Sequence, residues 1–472
     1  MQDKKILNMG EGKVFAVLLG LSGPAMISMF FQNLYALVDT IFVSWLGTVE
    51  LAALSLTIPV LYLGMALAKG IAVGSTTLMS HARGGNNEKK ATTICRASLP
   101  FALLILTPLC LLILPEVNGW MFGLFKVDQT ILQQVHKFIF WLGLTFPVMG
   151  FAMICEGVFL SYGDAKTPMK AMITGNVLNI ILDPFFIFTC KMGIAGASLA
   201  SFIGWLTAGL IMFSLLKRHK RDTPTFFCKK EECGVWREII TLGGPVALAL
   251  LVMPLSAAGL NYVLAPFGAA YVGAWALSSR LEQMIILPLY GLSCSLIPFV
   301  GFNLGAGSRD RIYEAVRISL KICYIIIIPV SLLFWFYAPA VIGLFRPGPE
   351  VLKLSSFAFR MALLGYCLVP VELIVVGLAQ GIRRPKFTLL INIFRLILLR
   401  LPLAFLFAHL WSGEGTYISH TVSMILSGFF CIFLLRHLLR LVDSECRLAG
   451  KRKTDCVVDI SSSSKPATGD LS

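Results

Sequence analysis

The chain has 472 residues, of which 57% are apolar and only 14% charged, with a mean hydropathy of +0.80. Soluble domains run nearer to about 45–50% apolar and about 25% charged, so a water-soluble enzyme is excluded and a chain facing lipid over much of its surface is indicated. The net charge of +15 belongs either to nucleic-acid binding or to loops on the cytoplasmic face of a membrane, and its placement along the chain decides between them.

The amino terminus, Met1–Lys13, is short and charged and leads into an apolar run without a small-residue cleavage site; it is read as the start of an uncleaved first span. Runs long enough to cross a bilayer follow near 14–46, 52–80, 97–115, 134–160, 168–190 and 193–216. A polar, basic stretch at 217–237 separates them from a second set near 238–264, 271–299, 319–345, 354–380, 386–410 and 416–441. Backbone groups in lipid must be satisfied within the segment, so such runs are helices. The Ser-containing polar tail after Leu441 is expected to be disordered. The expected organisation is therefore an amino-terminal lobe of six helices (1–216), a basic cytoplasmic linker (217–237), a carboxy-terminal lobe of six helices (238–442) and a tail (443–472).

Basic residues sort by loop. Thirty of the forty lysines and arginines lie at the amino terminus, in the even-to-odd loops and in the tail, against five in the opposite loops. That asymmetry places both termini in the cytoplasm and assigns the basic runs to topology, with no nucleic-acid partner. The halves also repeat. Leu21-Ser22-Gly23-Pro24 aligns with Leu242-Gly243-Gly244-Pro245, and Asp183-Pro184 falls opposite Leu401-Pro402. Six spans repeating as six give parallel repeats about an axis along the membrane normal, a transporter design that places a site between bundles.

A carboxylate inside an apolar span is functional by default. Asp39 lies deep in the first span, and the fifth carries Asn176, Asn179 and Asp183, whose spacings of three and four put them on one helix face. Pro184 has no N–H to donate and is expected to bend the fifth span, as Pro24 is the first. Two carboxylates with amide oxygens suit a hard cation or a shared proton; the competing reading is hydrogen bonding between helices. Glu282 and Glu372 are read either as attractors of an organic cation or as members of ion pairs, and with Gln32, Asn33 and Asn176 they make up the expected substrate cavity. Arg395 and Arg400 are also intramembrane and are read either as pairing with the carboxylates across helices or as snorkelling toward the cytoplasm, while Lys69 is read as an interhelical pairing group with no clear chemical duty.

Most cysteines lie singly in apolar runs, as small packing residues do, and Cys228 and Cys233 lack C-x-x-C spacing. No nucleotide-binding Gly-x-x-x-x-Gly-Lys-Ser/Thr, no H-E-x-x-H and no Gly-x-Ser-x-Gly occurs. The expected protein is no enzyme and holds no cofactor beyond a coupling ion, H+ or Na+, with Na+ the only metal in question.

The chain resembles the multidrug and toxic compound extrusion (MATE) family, in its bacterial DinF-like branch. The resemblance rests on Leu21-Ser22-Gly23-Pro24, Leu37-Val38-Asp39-Thr40-Ile41-Phe42-Val43, Asn179-Ile180-Ile181-Leu182-Asp183-Pro184 and Gly193-Ile194-Ala195-Gly196-Ala197. In the second half it rests on Ser279-Arg280-Leu281-Glu282 and Pro298-Phe299-Val300-Gly301-Phe302-Asn303-Leu304-Gly305-Ala306-Gly307. It implies an all-α membrane protein with twelve transmembrane helices in two pseudo-symmetric six-helix bundles, V-shaped, exporting organic cations and other xenobiotics by antiport with protons or sodium. It also implies a cation site of Asp39, Asn179 and Asp183, with Ser201 in the place of the family's Thr. The seventh span has no acid where some relatives carry one, Leu260 falling opposite Asp39, so coupling is assigned to the amino-terminal lobe. The alternative is a flippase of the same superfamily for a lipid-linked oligosaccharide. A monomer in the cell (plasma or inner) membrane is expected, with small organic cations and membrane lipids as its partners.

Overall fold

The computed structural model describes residues 8–123, 128–227, 229 and 232–463, and among them the regular elements are all helical. Cys228, the first seven residues and the last nine, and with them parts of the expected amino-terminal start, linker and tail, lie outside the described residues. The first half comprises α1 (Val14–Ser44), α2 (Thr48–Gly84), α3 (Glu88–Leu106), the short α4 (Pro115–Gly123), α5 (Gln129–Ser161), α6 (Lys166–Pro184) and α7 (Ile194–Arg218). The second comprises α8 (Val235–Leu264), α9 (Ala269–Ala306), α10 (Arg309–Gly343), α11 (Pro349–Gly365), α12 (Val369–Gly381), α13 (Lys386–Asn392) and α14 (Arg400–Ser463).

Among the described residues ten helical stretches are long and apolar enough to cross a membrane, and α11 with α12 forms an eleventh, bent by 58° at its break. The bend follows from Pro370, which cannot donate to the carbonyl of Tyr366 one turn earlier. The twelfth lies inside the last stretch, Lys386–Arg447, whose 62 residues would span about 93 Å as one helix, three times the apolar thickness of a bilayer. Its backbone leaves helical geometry at Trp411 and Ser412. The two legs run antiparallel: Arg384 pairs with Glu445, Phe394 packs on Phe430, and Arg395 and Ser427 converge on Glu372. A hairpin of two spans results.

Over residues 443–463 the expected disorder is corrected by the structure, because α14 continues as helix to Ser463. Its stretch near 443–446 is anchored. Tyr313 donates to Asp443, Arg309 pairs with Asp443, Arg384 pairs with Glu445, and Cys446 is buried.

The lobes exchange the beginnings of their first helices. Leu18 and Leu21 of α1 are buried in the core of the second half, and Ile239 and Leu242 of α8, their repeat mates, in the core of the first. Chain order therefore differs from physical partition at the start of each of the expected lobes, 1–216 and 238–442. Where α2 crosses α8, a Cβ on Gly70 would sit 2.6 Å from the carbonyl oxygen of Gly243, and one on Gly243 2.5 Å from that of Gly70. Only glycine admits so close an approach, the small-residue packing common between membrane helices. Arg311 adds hydrogen bonds to the carbonyls of Met9 (3.0 Å) and Gly12 (2.7 Å). These contacts lie in the half of each bundle nearest the described ends of the chain, so the lobes are joined at that end, the geometry of a V.

Candidate functional site

In the first lobe, α6 and α7 cross so closely that a Cβ on Gly204 would lie 2.8 Å from the carbonyl oxygen of Gly175. That approach brings Asn179, one turn beyond Gly175, within reach of α7, where its amide donates to the Ser201 hydroxyl at 3.1 Å. Asp183 follows one turn later and is fully buried. Helix α6 ends at Pro184, and the backbone widens into a π turn over Phe185–Thr189, as expected where a proline removes a rung of the hydrogen-bond ladder. Helix α1 packs along α6 and carries Asp39, close enough to Asp183 for the two charges to act on each other.

The oxygens of this group lack donors. Both carboxylate oxygens of Asp183, Oδ1 of Asp39 and Oδ1 of Asn179 are buried without a hydrogen-bond partner among the described residues. A buried, unsatisfied acceptor costs about 1–3 kcal/mol, and four together define a place for a proton or a hard cation. The sequence missed Tyr35, one turn before Asp39 and near both acids and Trp205; its i, i+4 spacing to Asp39 was the available signal.

The second lobe is arranged differently. Glu372 is ion-paired with Arg395 at 2.7 Å and accepts from Ser427 at 3.2 Å. Glu282 meets His420 Nε2 at 3.0 Å and Ser278 at 3.4 Å, while the Arg400 guanidinium lies 4.8 Å from the centre of the Trp275 ring. Glu372 is thus seen in an ion pair with Arg395, a pairing across helices that the sequence left open, and Glu282 in hydrogen-bond contact with His420 and Ser278. His420 was also missed; a histidine in an apolar run was its only signal.

Between the lobes lies a cavity of about 100 Å³ lined by α1, α2, α5, α6, α7 and α9. Gln32 faces it, with Lys69, Glu156 and Cys294. The other expected cavity residues lie elsewhere. Asn33 is exposed and donates to the Met29 carbonyl at 2.8 Å, and Asn176 is buried with its amide nitrogen unpartnered. Neither they nor Glu282 and Glu372 are among its lining residues.

Comparison with known proteins finds the MatE family model twice in the chain, over residues 24–185 and 245–406, the same offset as the Leu21–Pro24 repeat. An FAD transporter of Shewanella oneidensis is 29% identical over 427 residues, covering 89% of this chain and 94% of that protein. The multidrug export protein MepA of Staphylococcus haemolyticus is 22% identical over 438 residues, covering 92% and 96%. Among solved structures, an outward-facing multidrug resistance MATE family transporter of the MOP superfamily superposes with a TM-score of 0.84 at 25% identity, covering 91% of this chain and 97% of that one.

Proposed function

The chain belongs to the MatE family, multi-pass membrane transporters and not enzymes, and from that premise we propose that it exports small aromatic amphiphiles by antiport with H+ or Na+. The coupling ion binds at Asp39, Asn179, Asp183 and Ser201. One observation carries this reading: two facing carboxylates and an amide oxygen, buried on α1 and α6 without donors. An arriving H+ or Na+ offsets one of the two negative charges, relieves the repulsion between the acids and draws α1 toward α6. Exchange is driven only if ion and cargo prefer different conformations, and α1, with Pro24 inside it, is the element both would act upon.

Organic cations are the first cargo to test, following the multidrug export relatives. The relative named as an FAD transporter supports a second reading, a flavin nucleotide, which Lys69 at the interlobe cavity favours. With both termini in the cytoplasm, as the basic loops indicate, the V opens outward.

Ethidium movement in proteoliposomes, under imposed proton and sodium gradients applied separately, tests the proposal. Gradient-driven transport by wild type and its loss in Asp183→Asn are expected. Undiminished transport by the Asp183→Asn variant would contradict the site.

A further inference from the structure

Lys69 and Glu156 face the interlobe cavity from α2 and α5. They lie close enough to attract each other, yet neither forms an ion pair or a hydrogen bond among the described residues. An ammonium left bare at membrane depth costs several kcal/mol unless something answers it. The second lobe shows how this chain treats charges that serve packing: Glu372 and Arg395 meet at 2.7 Å. Lys69 and Glu156 instead both line the cavity.

The rest of the lining complements those charges. Trp205, Met29 and Met172 offer an aromatic face and flexible thioethers, which suit planar rings of varied outline. The volume, about 100 Å³, matches the charged end of a ligand and not a whole drug-sized molecule. We propose that this cavity is the recognition subsite for zwitterionic aromatic cargo, with Lys69 holding its carboxylate or phosphate and Glu156 its cationic end. The proposal rests on the export reading above and names its substrate class.

The subsite is mechanically tied to the coupling ion. Ala25, Ser28, Met29 and Gln32 line the cavity at the i, i+3, i+4, i+7 spacing of one helix face, and Asp39 lies seven residues further along that face. Cargo against Lys69 and an ion on Asp39 therefore act on the same stripe of α1.

Two dyes with one ring system separate this class from simple cations: rhodamine 110, which bears a free carboxylate, and rhodamine 123, its methyl ester. Fluorescence polarisation with the purified full chain in nanodiscs reads their dissociation constants. Wild type is expected to bind rhodamine 110 about tenfold more tightly. Lys69→Met should invert that order, because removing the ammonium weakens the zwitterion and tightens the ester, while Lys69→Arg should keep it. Equal affinities in wild type, needing no variant to fold, would overturn the proposal, as would a preference that survives Lys69→Met. A preference lost in Lys69→Met, with no gradient-driven movement of either dye in proteoliposomes, would uphold the subsite and overturn the antiport reading instead.

Discussion

At the scale of single residues, the chain carries carboxylates of two kinds. Asp39 and Asp183 have buried oxygens without donors, whereas Glu372 is held by Arg395 and Ser427. The difference predicts different responses to truncation. Arg395→Ala leaves a buried carboxylate unpaired and should destabilise the fold by about 3–5 kcal/mol; the apolar pair Arg395→Met with Glu372→Leu should recover most of that. Thermal unfolding in detergent checks it, and full stability of Arg395→Ala would return Glu372 to the cargo site. Ser201→Ala removes the acceptor of the Asn179 amide and should weaken ion binding, whereas Ser201→Thr keeps a hydroxyl and should preserve it; titration of the coupling ion separates the two. Asp39, Asn179 and Asp183 were legible in the sequence because carboxylates inside apolar runs stand out and helix periodicity puts the α6 pair on one face. Ser201 came only through family resemblance. His420 and Tyr35 were not legible, and for Arg395 the sequence left pairing and snorkelling both open, since pairing across helices depends on which faces meet, and that is set by packing.

At the scale of elements, prolines govern what the helices can do. Pro24 leaves the carbonyl of Gly20 without its usual donor, inside a helix whose further end bears Asp39. Pro24→Ala restores that rung and should stiffen α1. Dye affinity should stay within about twofold, while gradient-driven transport in proteoliposomes should fall severalfold; unchanged transport would remove α1 bending from the mechanism. Proline also explains what the hydropathy pattern concealed. A run near 354–380 reads as one span, and only Pro370 within it marks the break between α11 and α12. The opposite error arose in the tail, where polar composition reads as disorder although ion pairs at Asp443 and Glu445 extend α14.

At the scale of the whole molecule, the exchanged starts of α1 and α8 bind two bundles into one body, and the glycine crossing sets how closely they meet. The repeat was legible in the sequence; the exchange was not, because Leu18 and Ile239 look like ordinary apolar residues of their own spans. Adjacent glycines test the crossing. A methyl group on Gly243 meets the Gly70 carbonyl at 2.5 Å, whereas the nearest atom to one on Gly244 is 3.8 Å away. Gly243→Ala should therefore cost about 1–3 kcal/mol of stability, read as a lower melting temperature, and Gly244→Ala should be neutral or slightly stabilising. The central claim is that ion and cargo exclude one another through Asp39 and Asp183, and linkage makes that claim measurable at equilibrium. The decisive measurement is the affinity of the purified protein for ethidium and rhodamine 110 while pH and sodium are varied separately. A dissociation constant that rises at least about tenfold with one of the two ions, equivalent to about 1.4 kcal/mol of coupling, and that becomes flat in Asp39→Asn and Asp183→Asn, is the expected result. A constant indifferent to both ions in wild type, or a dependence that persists in both variants, would contradict it.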